Sequence, residues 1–134
     1  MFVDAAAIIA VLSEEDEAER CSTAIQAASE RLTSPIAVWE AVVALSRADK
    51  FDLPVERVVL LVDAFLEQRQ IVVRDLPDAP AALALSLEAA QRFRTGPGRL
   101  NLADCFHYAC ARHRGVPILS TADEFRFTDL ETVP

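Results

Sequence analysis

An α/β fold, in which a parallel sheet carries helices on both faces, is predicted by two features of this 134-residue sequence. Short apolar or β-branched runs, Met1-Phe2-Val3, Ile71-Val72-Val73 and Val116 to Leu119, recur along the chain, and the stretches between them show helical periodicity and helix caps. No internal repeat, linker or low-complexity segment divides it, so residues 1–134 are expected to form one domain.

The elements follow in order. Met1-Phe2-Val3 reads as a very short buried strand whose carboxyl end carries Asp4. Ala5 to Leu12 is too apolar to be an exposed helix. Glu14 to Arg31 opens with acids in its first turn and then offers Ala24, Ile25, Ala28 and Leu32 as an apolar face, so two helices or one broken helix are expected here. Ser34-Pro35 is a helix start, with serine as cap and proline at the first helical position, and predicts a helix to about Asp49. Leu53-Pro54 repeats the device, opening a helix through Val58, Leu61, Val62 and Phe65 to about Arg69. Ile71-Val72-Val73 then reads as a brief buried strand, and Asp75 to Pro80 turns into an alanine-rich helix ending near Arg94. Thr95-Gly96-Pro97-Gly98 is the clear loop. Asn101 caps the next helix, which runs to about Arg114 and ends at Gly115. Val116 to Leu119 is a buried strand leading into the polar turn Ser120-Thr121-Ala122-Asp123-Glu124, and Leu130 to Val133 adds an edge strand.

A net charge of −8 argues against a broad basic surface for nucleic acid, so any contact with a polyanion must be local. Twelve of the 13 basic residues are arginine, and Arg92, Arg94 and Arg99 cluster just before Asp104, where guanidinium groups could bind phosphate, with Asn101 beside them, or simply solvate a helix end. Three cysteines, Cys21, Cys105 and Cys110, are an odd number at irregular spacing and fit a reducing cytoplasm better than a disulfide framework. Nothing at the N-terminus reads as a signal peptide, and no apolar run approaches the ~20 residues of a membrane span.

The chemistry is expected beyond the carboxyl ends of the strands, where loops and helix N-termini meet. Asp4 ends the first strand, Asp123 follows the late strand, and Asp104 opens the helix before that strand, so the three can converge. Glu40 lies in the second turn of the Pro35 helix, where a solvent-facing glutamate is the alternative. Like-charged carboxylates about 4 Å apart repel by about 4 kcal/mol at an effective dielectric of 20, so such a cluster calls for a cation. Magnesium takes oxygen ligands, can orient an attacking water and can neutralise charge on a phosphate, which points to phosphodiester hydrolysis. Asp4 and Asp104 are the expected direct ligands, with Glu40 and Asp123 completing the set or acting through water.

The joint pattern resembles the PIN-domain nucleases, and more closely the VapC-type toxins of toxin–antitoxin modules. It is carried by Met1-Phe2-Val3-Asp4-Ala5 with Ile8 to Leu12, by Thr33-Ser34-Pro35 through Glu40, by Leu100 through Phe106 with Tyr108-Ala109, and by Leu119 through Phe125 with Thr128-Asp129-Leu130. The resemblance implies a three-layer α/β/α sandwich with a central, mostly parallel sheet, magnesium or manganese dependence, RNA as substrate, and a cognate antitoxin. Two departures stand out. Such toxins usually carry a hydroxyl residue two positions after the first aspartate, where this chain has Ala6, and either Asp123 or Glu124 could supply the last acid, with Asp123 preferred as nearer the strand end.

Other readings fit less well. An aspartate-nucleophile phosphatase would want a second acid at position 6, and a receiver domain would want a lysine after a late strand, whereas the only lysine is Lys50. Cys105, His107, Cys110 and His113 cannot all face one zinc ion, because Cys105 and Cys110 point about 140° apart on one helix, which leaves core packing and a solvent-facing histidine. Nucleophile-elbow and glycine-loop signatures are missing. The rival of a different class is an inactive PIN-fold module that binds a protein. Leu12, Val58, Leu61, Val62 and Phe65 offer apolar helical surface for an antitoxin helix or a second copy, although most are expected in the core, and a homodimer is expected.

Overall fold

The computed structural model describes residues 1–96 and 98–133. Among them, five two-residue strands form one all-parallel sheet: β1 (Phe2–Val3), β2 (Leu32–Thr33), β3 (Val72–Val73), β4 (Ile118–Leu119) and β5 (Thr132–Val133), in the order β3-β2-β1-β4-β5. Six α-helices flank it: α1 (Ala5–Leu12), α2 (Ala18–Ala27), α3 (Pro35–Leu45), α4 (Val55–Gln68), α5 (Ala79–Phe93) and α6 (Leu102–Arg114). A 3₁₀ turn spans Asp123–Phe127. The expected α/β architecture with a central parallel sheet is therefore what the chain adopts.

Strand order locates the functional end. From β1 the chain moves outward to β2 and β3, then returns to place β4 on the other side of β1. The crossover direction reverses between β1 and β4, and in open parallel sheets a crevice opens at that point beyond the strand ends. Phe2 pairs with both Leu32 and Ile118, so β1 is central, and Phe2 and Val3 are wholly buried. The buried hydroxyl of Thr33 donates to the Val3 carbonyl at 2.8 Å, which locks β2 to β1 directly below Asp4.

Side-chain capping explains three of the six α-helix starts among the described residues. The Ser34 side chain accepts from the Ala37 amide with Pro35 in the first turn, and Asp78 accepts from the Ala81 amide with Pro80 behind it. Around α6 the Asn101 side chain accepts from the Asp104 amide at 3.0 Å while Asp104 Oδ2 accepts from the Asn101 amide at 2.7 Å, a reciprocal capping box. Gly115, at φ +62°, ends the helix in the left-handed conformation that glycine adopts without penalty.

Several boundaries differ from expectation. Glu14 stands at φ +54° and separates α1 from α2, which begins only at Ala18 and stops at Ala27. Leu32, expected on a helix face, is in β2, its amide donating to the Met1 carbonyl at 3.0 Å. The Pro35 helix ends at Leu45 rather than near Asp49. Ile71 is buried, but Val72 and Val73 are 46% and 45% exposed because β3 is an edge strand rather than an interior one. Within the expected loop, Pro97 lies outside the described residues. Val58, Val62 and Phe65 are core residues and Leu12 is half-buried, so of the five apolar residues offered as surface only Leu61 is exposed. Cys21, Cys105 and Cys110 are all free and buried. No helix among the described residues is long and apolar enough to cross a membrane.

Candidate active site

Asp4 leaves β1 at the crevice and stands at the N-cap of α1, yet its side chain makes no capping bond there. The carboxylate turns instead toward two side chains from distant elements. Ser120, the first residue after β4, donates its hydroxyl to Asp4 Oδ2 at 2.8 Å. His107, from α6, places Nδ1 2.6 Å from Asp4 Oδ1, a close ionic contact without the alignment of a hydrogen bond. Its Nε2 faces Glu40 Oε2 at 3.7 Å. A chain Ser120–Asp4–His107–Glu40 thus links β4, β1, α6 and α3.

Burial is the largest influence on Asp4 and pushes its carboxyl up, but the charge and contact of His107, the Ser120 hydroxyl and the Ala5 amide together outweigh it and hold Asp4 below the usual range. For His107 burial favours the neutral ring, and the charges of Asp4, Glu40 and Asp104 reverse this, raising it. Glu40 is raised by burial first and then by Asp4 and Asp104, against the lowering effect of His107. Asp104 is raised by burial, and by Asp4 and Glu124, while the Asn101 amide and His107 pull the other way. Asp4, Glu40 and Asp104 therefore share one electrostatic neighbourhood.

Asp123 and Glu124 part company. The Asp123 side chain is 84% exposed and pairs with Arg126 Nε at 3.3 Å, whereas Glu124 is half-buried and its charge reaches Asp104. The one-residue difference is a matter of rotation in the 3₁₀ turn, in which neighbours point about 120° apart.

The basic residues divide as well. Arg94, Arg99 and Asn101 line a hollow with Ala90 and Leu100 beside the start of α6. Arg92 does not line it. It pairs with Glu88 at 2.7 Å and Asp129 at 3.0 Å, and lies over the Phe93 ring at 4.6 Å. Of the residues weighed for zinc, Cys105 and Cys110 pack in the core, His113 is exposed, and His107 is wholly buried against the carboxylates. Sequence reasoning passed over Ser120 and His107 as partners of the acids. Ser120 had a usable signal in its place directly after a strand's carboxyl end, but nothing in α6 marks which neighbour His107 meets.

A divalent cation fits this donor set by chemistry rather than by a closed cage. The hard carboxylate oxygens suit magnesium or manganese, the buried Asp4 Oδ1 has no aligned hydrogen bond, and Glu40 and Asp104 are each destabilised as anions by their neighbours. Among the described residues no three His, Cys, Asp or Glu side chains stand together at metal-holding spacing, so waters would have to complete any coordination.

The PIN domain family model matches residues 1–131. The VapC ribonuclease Mb0640 of Mycobacterium bovis is 34% identical over 137 residues, spanning 99% of this chain and 98% of its own length. The VapC ribonuclease R02377 of Rhizobium meliloti is 33% identical over 140 residues, spanning 96% and 98%. In structure the chain is similar to VapC20 of Mycobacterium tuberculosis, with a TM-score of 0.76 and 15% identity over 99% of this chain and 98% of that one, a likeness of fold. With the family model spanning nearly the whole chain and end-to-end similarity to such relatives, the chain belongs to the PIN-domain family, among the VapC-type ribonucleases.

Proposed function

We propose that the chain is a magnesium- or manganese-dependent endoribonuclease, the toxin of a toxin–antitoxin pair. One observation carries the reading: Asp4, buried at the end of β1, meets a ring nitrogen of His107 at 2.6 Å while the other nitrogen faces Glu40 at 3.7 Å, so acids of β1 and α3 flank one buried side chain, with the Asp4 charge also felt by Asp104. In this reading Asp4 and Asp104 hold the cation directly, with Glu40 and an acid of the Asp123-Glu124 pair acting through water, and Glu124 is favoured by its reach toward Asp104. When bound, the cation would supply charge neutralisation at the scissile phosphate and a more acidic water. Ser120 fixes the Asp4 carboxylate. Asn101 fixes Asp104 through its amide. Arg94 and Arg99 hold the phosphate backbone locally on an otherwise acidic molecule.

The inactive-module reading took its motive from Ala6. In the fold Ser120 and His107 both meet Asp4, so the carboxylate is oriented without a hydroxyl at position 6. An antitoxin and a second copy of the chain belong to the proposal. Support comes from exposed apolar side chains on two packed helices, Trp39 and Val43 on α3 and Leu60 and Leu61 on α4. Light scattering that finds only monomer at micromolar concentration removes the homodimer. The function itself is tested by incubating purified protein with total RNA, with magnesium or with EDTA, beside Asp4→Asn and Asp104→Asn. Cleavage that needs the metal and disappears in both variants is expected. No cleavage by any form leaves the binding module.

A further inference from the structure

Resting on the nuclease reading, the geometry points to His107 as a positioning residue that ties Asp4 and Glu40 into one unit through opposite nitrogens of a buried ring. Its side chain is wholly inaccessible, and its plane is set by the core, where the Phe2 ring packs at 5.8 Å and an interplanar angle of 37°. One nitrogen touches Asp4 Oδ1 at 2.6 Å and the other stands 3.7 Å from Glu40 Oε2. Both nitrogens are buried, and neither makes an aligned hydrogen bond, the contacts to the two carboxylates being ionic. A buried imidazole without hydrogen-bond partners is costly as mere packing, and here both of its polar edges are spent on the two carboxylates.

The division of labour around Asp4 follows. Ser120 holds Oδ2 from the β4 side and His107 holds Oδ1 from the α6 side, so the carboxylate cannot rotate without losing one of them. His107 continues the link to α3, whereas Ser120 gives its one proton to Asp4 and accepts from the Ala122 amide at 3.1 Å. Orienting partners of this kind are worth about 10–100-fold in metal affinity or activity where they support a ligand.

The test compares His107→Ala, His107→Asn and His107→Gln with the wild type. Asparagine keeps a donor where Nδ1 stands, and glutamine places one nearer Nε2. Thermal melts establish folding, titration calorimetry measures binding of Mn²⁺ alone, and kcat and KM are taken on a short single-stranded RNA. In His107→Ala, Mn²⁺ affinity and kcat are expected to fall by on the order of tenfold or more with KM little changed, and His107→Asn, which keeps the contact to Asp4 but not the one to Glu40, is expected to recover part of both. His107→Ala that binds Mn²⁺ and turns over like wild type overturns the proposal, as does a folded His107→Asn no better than alanine. If the alanine variant does not fold, asparagine less impaired than glutamine supports the proposal, and equal loss in the two overturns it. A wild type that binds Mn²⁺ without cutting RNA sinks the nuclease reading alone, with His107 still judged on affinity. A wild type that neither binds nor cuts sinks both.

Discussion

The hydroxyl of Tyr108, in the middle of α6, donates to Oδ1 of Asp129 at 2.9 Å. The same carboxylate pairs with Arg92 of α5 at 3.0 Å, so the segment that leads into β5 is pinned to both helices on the side of the molecule that carries Arg92. Burial and the hydrogen bond to Asp129 push the Tyr108 hydroxyl up to about 12. Tyr108→Phe is expected to cost about 1 kcal/mol in urea unfolding at neutral pH.

This latch also has a pH signature. Burial acts to raise Asp129, but the Tyr108 hydroxyl and Arg92 outweigh it and hold the carboxyl below its ordinary value. Its stabilisation is therefore complete above the unfolded carboxylate range and is lost as pH falls through the depressed folded value. The Tyr108 contribution is present below the ordinary tyrosine value and is lost as pH rises through about 12. Asp129→Asn should flatten the acid limb of a stability-against-pH curve, and an unchanged limb would remove the latch from the account.

The two groups of arginines are separable by kinetics. Arg94→Ala with Arg99→Ala is expected to raise KM for RNA several-fold and to lower the slope of log affinity against log salt by about one for each phosphate no longer held. Arg92→Ala should leave KM unchanged, since its guanidinium is engaged by Glu88 and Asp129. Equal effects from all three would reject the assignment.

Asn101 joins stability to the site. Asn101→Ala removes the side-chain cap on the Asp104 amide, at an expected cost of about 1 kcal/mol, while the Asn101 backbone amide still holds the Asp104 carboxylate. Asn101→Ser, which can still cap, should restore most of the stability. Denaturant titration of both variants checks this.

A close approach at Gly98 provides a packing test. A Cβ there would lie 2.0 Å from Cδ2, 2.5 Å from Cγ and 2.9 Å from Cβ of Phe127, so the backbone before α6 sits hard against the 3₁₀ turn. Gly98→Ala is expected to destabilise by about 1–3 kcal/mol, and less when combined with Phe127→Ala, which removes the clash. Strict additivity of the two in thermal denaturation would show that they do not meet.

How much of this was legible depended on whether a residue announces itself locally. Ser34-Pro35, Asn101 with Asp104, and Gly115 act on the backbone within a few positions, and the helices start or stop where these residues stand. Leu32-Thr33 did not announce itself, because two residues carry no periodicity and the strand exists only through pairing with Phe2 and Val72. Val72 and Val73 show the converse: β-branched residues specify a strand but not whether it lies at the edge. In the site, Asp4 and Asp104 could be placed at the crevice from their positions at element ends. The Asp123 and Glu124 side chains depend on the pitch of a 3₁₀ turn, and the partners of His107 on how α6 rolls against β1 and α3, neither of which is encoded in nearby residues.

The bond from Ser120 to Asp4 spans 116 positions, and β4, which carries Ser120 to its place, lies beside β1 although two strands and six helices intervene between them along the chain. A ribosome-bound fragment that stops short of β4 holds Asp4, Glu40 and Asp104 yet lacks the neighbour strand that seats the first of them. Contacts spanning so much sequence are slow to form, so the seating of Asp4 is among the first things a truncated or partly folded chain lacks.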